Sequence, residues 1–160
     1  MKRFITYLFV TLMMAAATAS VAYAGLGEGL TAAKKGDFKT AFKEWKPLAD
    51  QGDANAQYYL GDMYFKGYGF PRDFKLAVKW YSKAAEQDII PAQEKLGIMY
   101  YKGQGVPQDY KLAHMWSNIA AANGSASGGK NSDFVAKKMT SKQISEAEGM
   151  VQEWLAKHQN

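Results

Sequence analysis

From Ala56 to Tyr64, apolar side chains fall at Ala56, Tyr59, Leu60, Met63 and Tyr64, the i, i+3, i+4, i+7, i+8 spacing of a helix with one buried stripe. The segment Lys66-Gly67-Tyr68-Gly69-Phe70-Pro71-Arg72-Asp73 then holds two glycines and a proline. It ends that helix, turns the chain and offers Asp73 as N-cap of the next. A second helix follows with Ala77, Trp80, Tyr81 and Ala84 along one side. Two stripes joined by so short a turn predict an antiparallel pair. Gly61, Ala77 and Ala84 let its helices approach closely, and Tyr64 and Trp80 fill the space between them.

The pattern recurs. Leu60-Gly61, Tyr64, Lys66-Gly67, Gly69, Pro71, Asp73, Lys75-Leu76-Ala77, Trp80 and Ala84-Ala85 return as Leu96-Gly97, Tyr100, Lys102-Gly103, Gly105, Pro107, Asp109, Lys111-Leu112-Ala113, Trp116 and Ala120-Ala121, each pair 36 residues apart. A degenerate copy precedes them, with Asp37, Lys39, Ala41, Ala49 and Gln51 at the same offset before Asp73, Lys75, Ala77, Ala85 and Gln87. A fixed period of this length is the signature of stacked helix pairs, in which each unit buries its apolar face against its neighbours.

In order and spacing, Ala56-x3-Leu60-Gly61-x2-Tyr64-x2-Gly67-x-Gly69-x3-Asp73-x2-Leu76-Ala77-x2-Trp80-Tyr81-x2-Ala84-Ala85 resembles the Sel1-like repeat, the longer relative of the tetratricopeptide repeat. The copy beginning at Ala92 matches too, except that Ser117 stands where an aromatic would follow Trp116. Ala33-Lys34-Lys35-Gly36-Asp37-Phe38-x2-Ala41 is similar to the shorter tetratricopeptide-style turn. The resemblance implies an all-α fold, a right-handed α-solenoid of antiparallel helix pairs closed by a C-terminal capping helix. The expected units are a tetratricopeptide-like pair at 25–52, repeats at 53–88 and 89–124, and a loop with capping helices at 125–160.

At the N-terminus, Met1-Lys2-Arg3 is a basic start, Phe4 to Ala17 is largely apolar, and Ala22-Tyr23-Ala24 is a small-x-small cleavage signal. Residues 1–24 therefore read as a signal peptide cut before Gly25, which places the mature chain in the periplasm of a Gram-negative bacterium. The apolar run is shorter than the roughly 18–20 residues that span a bilayer, so no stable membrane insertion is expected after cleavage. Cleavage lowers the net charge from +5 to +3, too mild to suggest nucleic acid.

In the tail, Asn123 to Asn131 is a Gly/Ser-rich connector and Ser132 falls where a further Leu-Gly would begin, so the repeat ends there. Ser132 is expected to N-cap a short helix through Met139. Thr140-Ser141-Lys142-Gln143 reads as a capping box that opens a last helix with Ile144, Ala147, Val151 and Leu155 along one side. Pro47 lies inside the first pair's second helix and predicts a kink or an early end.

Catalytic chemistry finds little footing. The chain has no cysteine, which removes disulfides, thiolate metal sites and a cysteine nucleophile. Its two histidines, His114 and His158, lie 44 residues apart with no acidic cluster beside them, so neither a metal nor a cofactor is expected. His114 reads as a partly buried or surface histidine. Asp62 and Glu94 come from different repeats in plain helical surroundings, and Ser117, Ser125 and Ser127 have no adjoining base, so no catalytic residue is assigned. The paired glycines recur at helix ends and are turns, not phosphate loops.

The family resemblance suggests a groove instead. Under the tetratricopeptide rule that first helices line the concave face, Leu30, Ala33 and Lys34 would lie there, then Tyr58, Asp62, Phe65 and Lys66, then Glu94, Ile98, Tyr101 and Lys102. Lys34, Lys66 and Lys102 would form a basic ladder beside aromatic faces from Phe65 and Tyr101. Such a groove suits an extended peptide with a carboxylate or acidic side chain. The opposing reading has the lysines complement helix dipoles while the aromatics pack against the next repeat. The resemblance implies a non-catalytic periplasmic adaptor for a protein or peptide partner. The alternative is a factor or hydrolase acting on peptidoglycan, like the β-lactamase-like relatives, but those carry a disulfide in each repeat and this chain has none.

Overall fold

The computed structural model describes residues 24–158, so the expected signal sequence lies outside the described residues apart from Ala24. The described residues form eight helices and no strand. They are α1 (24–34), α2 (Phe38–Asp50), α3 (Ala54–Lys66), α4 (Phe74–Ala85), α5 (Ile90–Lys102), α6 (Tyr110–Ala122), α7 (Gly128–Ala136) and α8 (Ser141–His158). α3 pairs with α4 and α5 with α6, while α2 meets α3 and α4 meets α5, so the pairs stack in chain order. The result is an all-α solenoid. We call α1, α3 and α5 the A helices and α2, α4 and α6 the B helices.

Local chemistry sets most of the boundaries. Asp37, Asp73 and Asp109 stand one period apart, and each accepts a bond from the backbone N–H three residues on: Thr40 at 3.0 Å, Leu76 at 2.9 Å and Leu112 at 3.0 Å. Each satisfies a donor that the first helical turn leaves orphaned. Gly67 and Gly103 end the A helices with φ of 73° and 65°, a left-handed conformation that other residues adopt only with strain. The capping box is present as well: the Gln143 N–H donates to Thr140 Oγ1 at 3.3 Å, and the Thr140 N–H to Gln143 Oε1 at 2.9 Å.

Two apolar clusters form the core. Ala41, Trp45, Leu48, Leu60, Met63 and Trp80 fill the space among α2, α3 and α4, and Tyr81, Leu96, Met99, Trp116, Ile119 and Val151 that among α4, α5, α6 and α8. Polar staples cross between units. The Gln57 and Gln93 side chains, one period apart and both buried, donate to the carbonyls of Ala49 and Ala85 at the end of the preceding B helix, at 3.1 and 3.2 Å. Gln87 Nε2 reaches Gln57 Oε1 at 2.9 Å, and its counterpart Asn123 reaches Gln93 at 3.2 Å. Each buried amide is thus spent on joining units.

Three expectations are corrected. Of the kink or early end expected at Pro47, the early end is absent, since α2 runs to Asp50 with Pro47 inside it. Leu48 and Ala49 are buried, and Gln57 holds the Ala49 carbonyl, so tertiary contacts retain the last turn despite the missing hydrogen bond. Ser132 does not cap a helix: α7 starts at Gly128, and Ser132 lies within it, buried, with Oγ 3.0 Å from His114 Nδ1. The first turn of α7 lies close against α6, where a Cβ on Gly128 would come 2.6 Å from the Ala121 nitrogen, so only glycine fits there. His114 itself is buried at 5 % exposure.

α7 falls one period after α5 and occupies the place of a fourth A helix, although Leu96-Gly97 has become Ser132-Asp133. α8 does not fold back on α7 as a B helix would. It lies on α6, with Trp154 meeting Trp116 edge-on at 6.2 Å and Glu146 pairing with Lys111 at 3.0 Å. It closes the stack.

Candidate functional site

Successive A helices are separated by grooves, and a residue of the intervening B helix forms the floor of each. The floor positions are Trp45, Tyr81 and Ser117, each one period after the last. A glycine of the A helix faces each floor: Gly29, Gly61 and Gly97 are the positions where an added Cβ would run into Trp45, Tyr81 and Ser117. Close packing at this point is therefore common to all three units.

In the middle groove the floor residue fills the space. The Tyr81 ring lies 5.9 Å from Tyr58 and 6.3 Å from Phe65, and its hydroxyl donates to Asp62 Oδ1 at 2.6 Å. Phe65 packs on Phe74 at 5.4 Å, and Lys95 Nζ covers its ring at 5.3 Å. Burial pushes the Tyr58 phenol up to about 12, helped by the nearby Asp62 carboxylate, Tyr59 and Glu94. Tyr81 is displaced further in the same direction by burial and by its bond to Asp62.

The outer grooves remain open. Between α1 and α3 lies a cavity of about 300 Å³ walled by Leu30, Ala33, Phe38, Trp45, Tyr59 and Tyr68, with Lys34 and Asp62 at its edge. Stacked rings build it, Trp45 on Tyr59 at 4.7 Å and Phe38 on Tyr68 at 4.3 Å. Between α5 and α7 a second cavity of about 230 Å³ is lined by Gly97, Ile98, Tyr101, Ser117, Phe134 and Val135, with Lys102 beside it. Here Tyr101 meets Phe134 at 5.4 Å and Tyr110 at 5.7 Å. Tyr68 and Phe134 are the large apolar residues left most exposed, at 40 % and 52 %, and each lines one of the cavities.

The eleven residues expected on this face divide accordingly, with Leu30, Ala33 and Lys34 at the first cavity. Tyr58, Phe65 and Asp62 pack in or beside the middle groove, where Phe65 is a wedge between units and not an open aromatic face. Ile98, Tyr101 and Lys102 line the third groove. Glu94 accepts bonds from the Ser125 and Ser127 hydroxyls and so anchors the α6–α7 connector. The basic ladder lacks its middle rung: Lys66 Nζ is 2.6 Å from Asp62 and lies over Tyr68, and the Asp62 bond holds its amine above the usual value. The Lys34 and Lys102 side chains have no ion pair or hydrogen bond among the described residues.

Sequence reasoning did not single out Phe38, Trp45, Tyr59, Tyr68 or Phe134 as wall residues. Ser117 was visible as a departure from the repeat, although its consequence was not. The Ser132–His114 pair is enclosed between α6 and α7, both residues being at most 5 % exposed. Among the described residues no group of three or more histidine, cysteine or acidic side chains is placed to hold a metal ion, and no helix is long and apolar enough to cross a membrane.

The Sel1 repeat family model matches residues 54–89 and 90–125. A crystal structure of c5321, a protective antigen present in uropathogenic Escherichia coli strains and displaying an SLR fold, superposes with a TM-score of 0.81 at 33% identity, covering 86% of this chain and 30% of that one. A Sel1 repeat protein from Oxalobacter formigenes gives 0.57 at 36% identity, over 59% of this chain and 27% of that one. The chain thus spans less than a third of the length of either structure. Comparison with the curated proteins gives no match.

Proposed function

Because this chain is a Sel1-like repeat protein, one of a family whose members generally act as scaffolds for protein interaction and are typically non-catalytic, we propose that it is a periplasmic adaptor that holds a protein partner on its A-helix face. The observation that carries the reading is the pair of open cavities on that face, each with aromatic walls and each with an unpaired lysine at its edge. A concave apolar site with a few placed polar groups is the usual form of a binding site, and unpaired cations select a partner segment that carries carboxylates. The basic start, apolar run and Ala22-Tyr23-Ala24 signal support export to the periplasm.

The test is charge reversal at the two unpaired rungs. Lys34→Glu with Lys102→Glu is expected to abolish capture of envelope partners in a crosslinking pull-down while leaving the far-ultraviolet circular dichroism spectrum and melting temperature unchanged. Lys66→Glu alone, which meets Asp62, should instead lower stability. An unchanged partner set from the double variant would overturn the adaptor reading of this face.

A further inference from the structure

We infer that the third groove is a socket for a single aromatic side chain of the partner, held next to a carboxylate on the same partner segment; the inference rests on the adaptor reading and specifies its ligand. The floor position carries an aromatic ring in the first two units, Trp45 and Tyr81, and a hydroxymethyl group in the third, Ser117. The rest of the seat is preserved. Gly97 keeps the close approach that Gly61 provides beneath Tyr81, and Tyr101 stands against Tyr110 as Phe65 stands against Phe74, one period earlier. The place where a ring would sit is open, with a cavity of about 230 Å³. A cavity of about 150 Å³ already holds benzene in a protein interior, so the space admits an aromatic side chain.

Two polar features define the rest of the ligand. Ser117 is 3 % exposed, lines the cavity, and its hydroxyl has no hydrogen-bond partner among the described residues. The hydroxyl opens onto the cavity, where a phenol or indole N–H entering the socket would give it a partner. Lys102, exposed and unpaired beside the cavity, supplies charge complementarity to a carboxylate. Phe134, half exposed at the mouth, presents a ring edge or face to the incoming one. Tyrosine flanked by acidic residues meets all three demands.

The experiment is a nuclear magnetic resonance titration of the protein with two short acidic peptides that differ only in a central tyrosine or alanine. The tyrosine peptide is expected to shift the amide resonances of Gly97, Ser117 and Val135, and the alanine peptide to leave them in place. Ser117→Phe refills the floor with a ring like those at the two equivalent positions, needs no partner for a hydroxyl, and should weaken the tyrosine peptide at least about tenfold with no loss of melting temperature. Phe134→Ala, at an exposed site, serves as a second variant free of folding consequences and should weaken binding several-fold. Shifts confined to the Leu30–Tyr68 cavity, equal shifts from both peptides, or undiminished affinity in both variants would overturn the socket. If Ser117→Phe still captures the partners that the Lys34→Glu/Lys102→Glu variant loses, the socket fails while the adaptor reading stands. If neither variant loses them, both fail.

Discussion

Gly61 and Gly97 occupy the same place in consecutive repeats, yet alanine should act on them in opposite directions. A Cβ on Gly61 would lie 2.6 and 2.7 Å from two atoms of the Tyr81 ring. That ring is held by its hydroxyl bond to Asp62 and by contacts with Tyr58 and Phe65, so it has nowhere to turn. Forcing a methyl into such packing costs about 1–3 kcal/mol. Replacing a helix-interior glycine by alanine returns roughly 0.5–1 kcal/mol. Gly61→Ala should therefore destabilise by up to about 2 kcal/mol. On Gly97 the new atom would meet Ser117 Oγ at 2.7 Å, the end of a short side chain that χ1 rotation can move, and the Ala113 carbonyl oxygen at 3.3 Å, a tight backbone contact that offsets part of the helical gain but is milder than the ring clash at Gly61. Gly97→Ala should be neutral or stabilising by up to about 1 kcal/mol. At about 4 °C per kcal/mol for a domain of this size, the two melting temperatures should separate by roughly 4–12 °C. Thermal and urea melts followed by circular dichroism measure this, and Gly61→Ala should cost little further on a Tyr81→Ser background, itself destabilised by loss of the buried ring, because the atoms that the new methyl strikes are then gone. Equal shifts in the two single variants would refute the floor-and-glycine account.

Two further outcomes follow from the same geometry. Gly105 has φ of 77°, and a Cβ there would collide with the Phe74 carbonyl and lie 2.8 Å from the Lys75 nitrogen, all backbone, so Gly105→Ala should cost more than Gly67→Ala, where the nearest atom is 3.2 Å away; equal melting temperatures would count against it. Tyrosine ionisation should be split: the fold favours the neutral phenols of Tyr58 and Tyr81 over the unfolded value near 10, so their contribution is complete below about pH 10 and is lost as pH rises through about 12 for Tyr58 and higher for Tyr81. Phenolate absorbance should show a late class of tyrosines titrating together with unfolding, and a single transition near pH 10 would contradict it.

What the sequence discloses here is mainly what acts within a few residues. Asp73 and Asp109 cap, Gly67 and Gly103 end helices, and Thr140 with Gln143 forms a box because those interactions span one turn of chain. The two-helix period is readable for the same reason, being written twice in nearly the same letters. Interactions between helices are another matter. Gly128 looks like a connector residue, yet it is the first residue of α7 and lies against α6 where a side chain would not fit. Lys66 matches Lys102 in sequence, but only Lys66 has an aspartate four residues earlier, so one is paired and the other free. Phe65 reads as an exposed aromatic until Phe74 and Tyr81 are seen around it. Ser117 is an odd letter in a repeat until the ring positions at 45 and 81 show what it lacks.

The placement of α8 sets how the array can grow. Because α8 leaves α7 without a B-type partner and lies along α6, the C-terminal end is a lid moulded to one particular unit and not another copy of the module. The joints upstream are interchangeable, since Gln57 and Gln93 dock in the same way on the unit before them. Duplication of a 36-residue block ahead of residue 90 would lengthen the molecule with every joint intact, whereas a block appended after the lid would find no matching seat. Evolution or design can thus lengthen this scaffold from within, keeping its closing piece and its third groove as a fixed terminus.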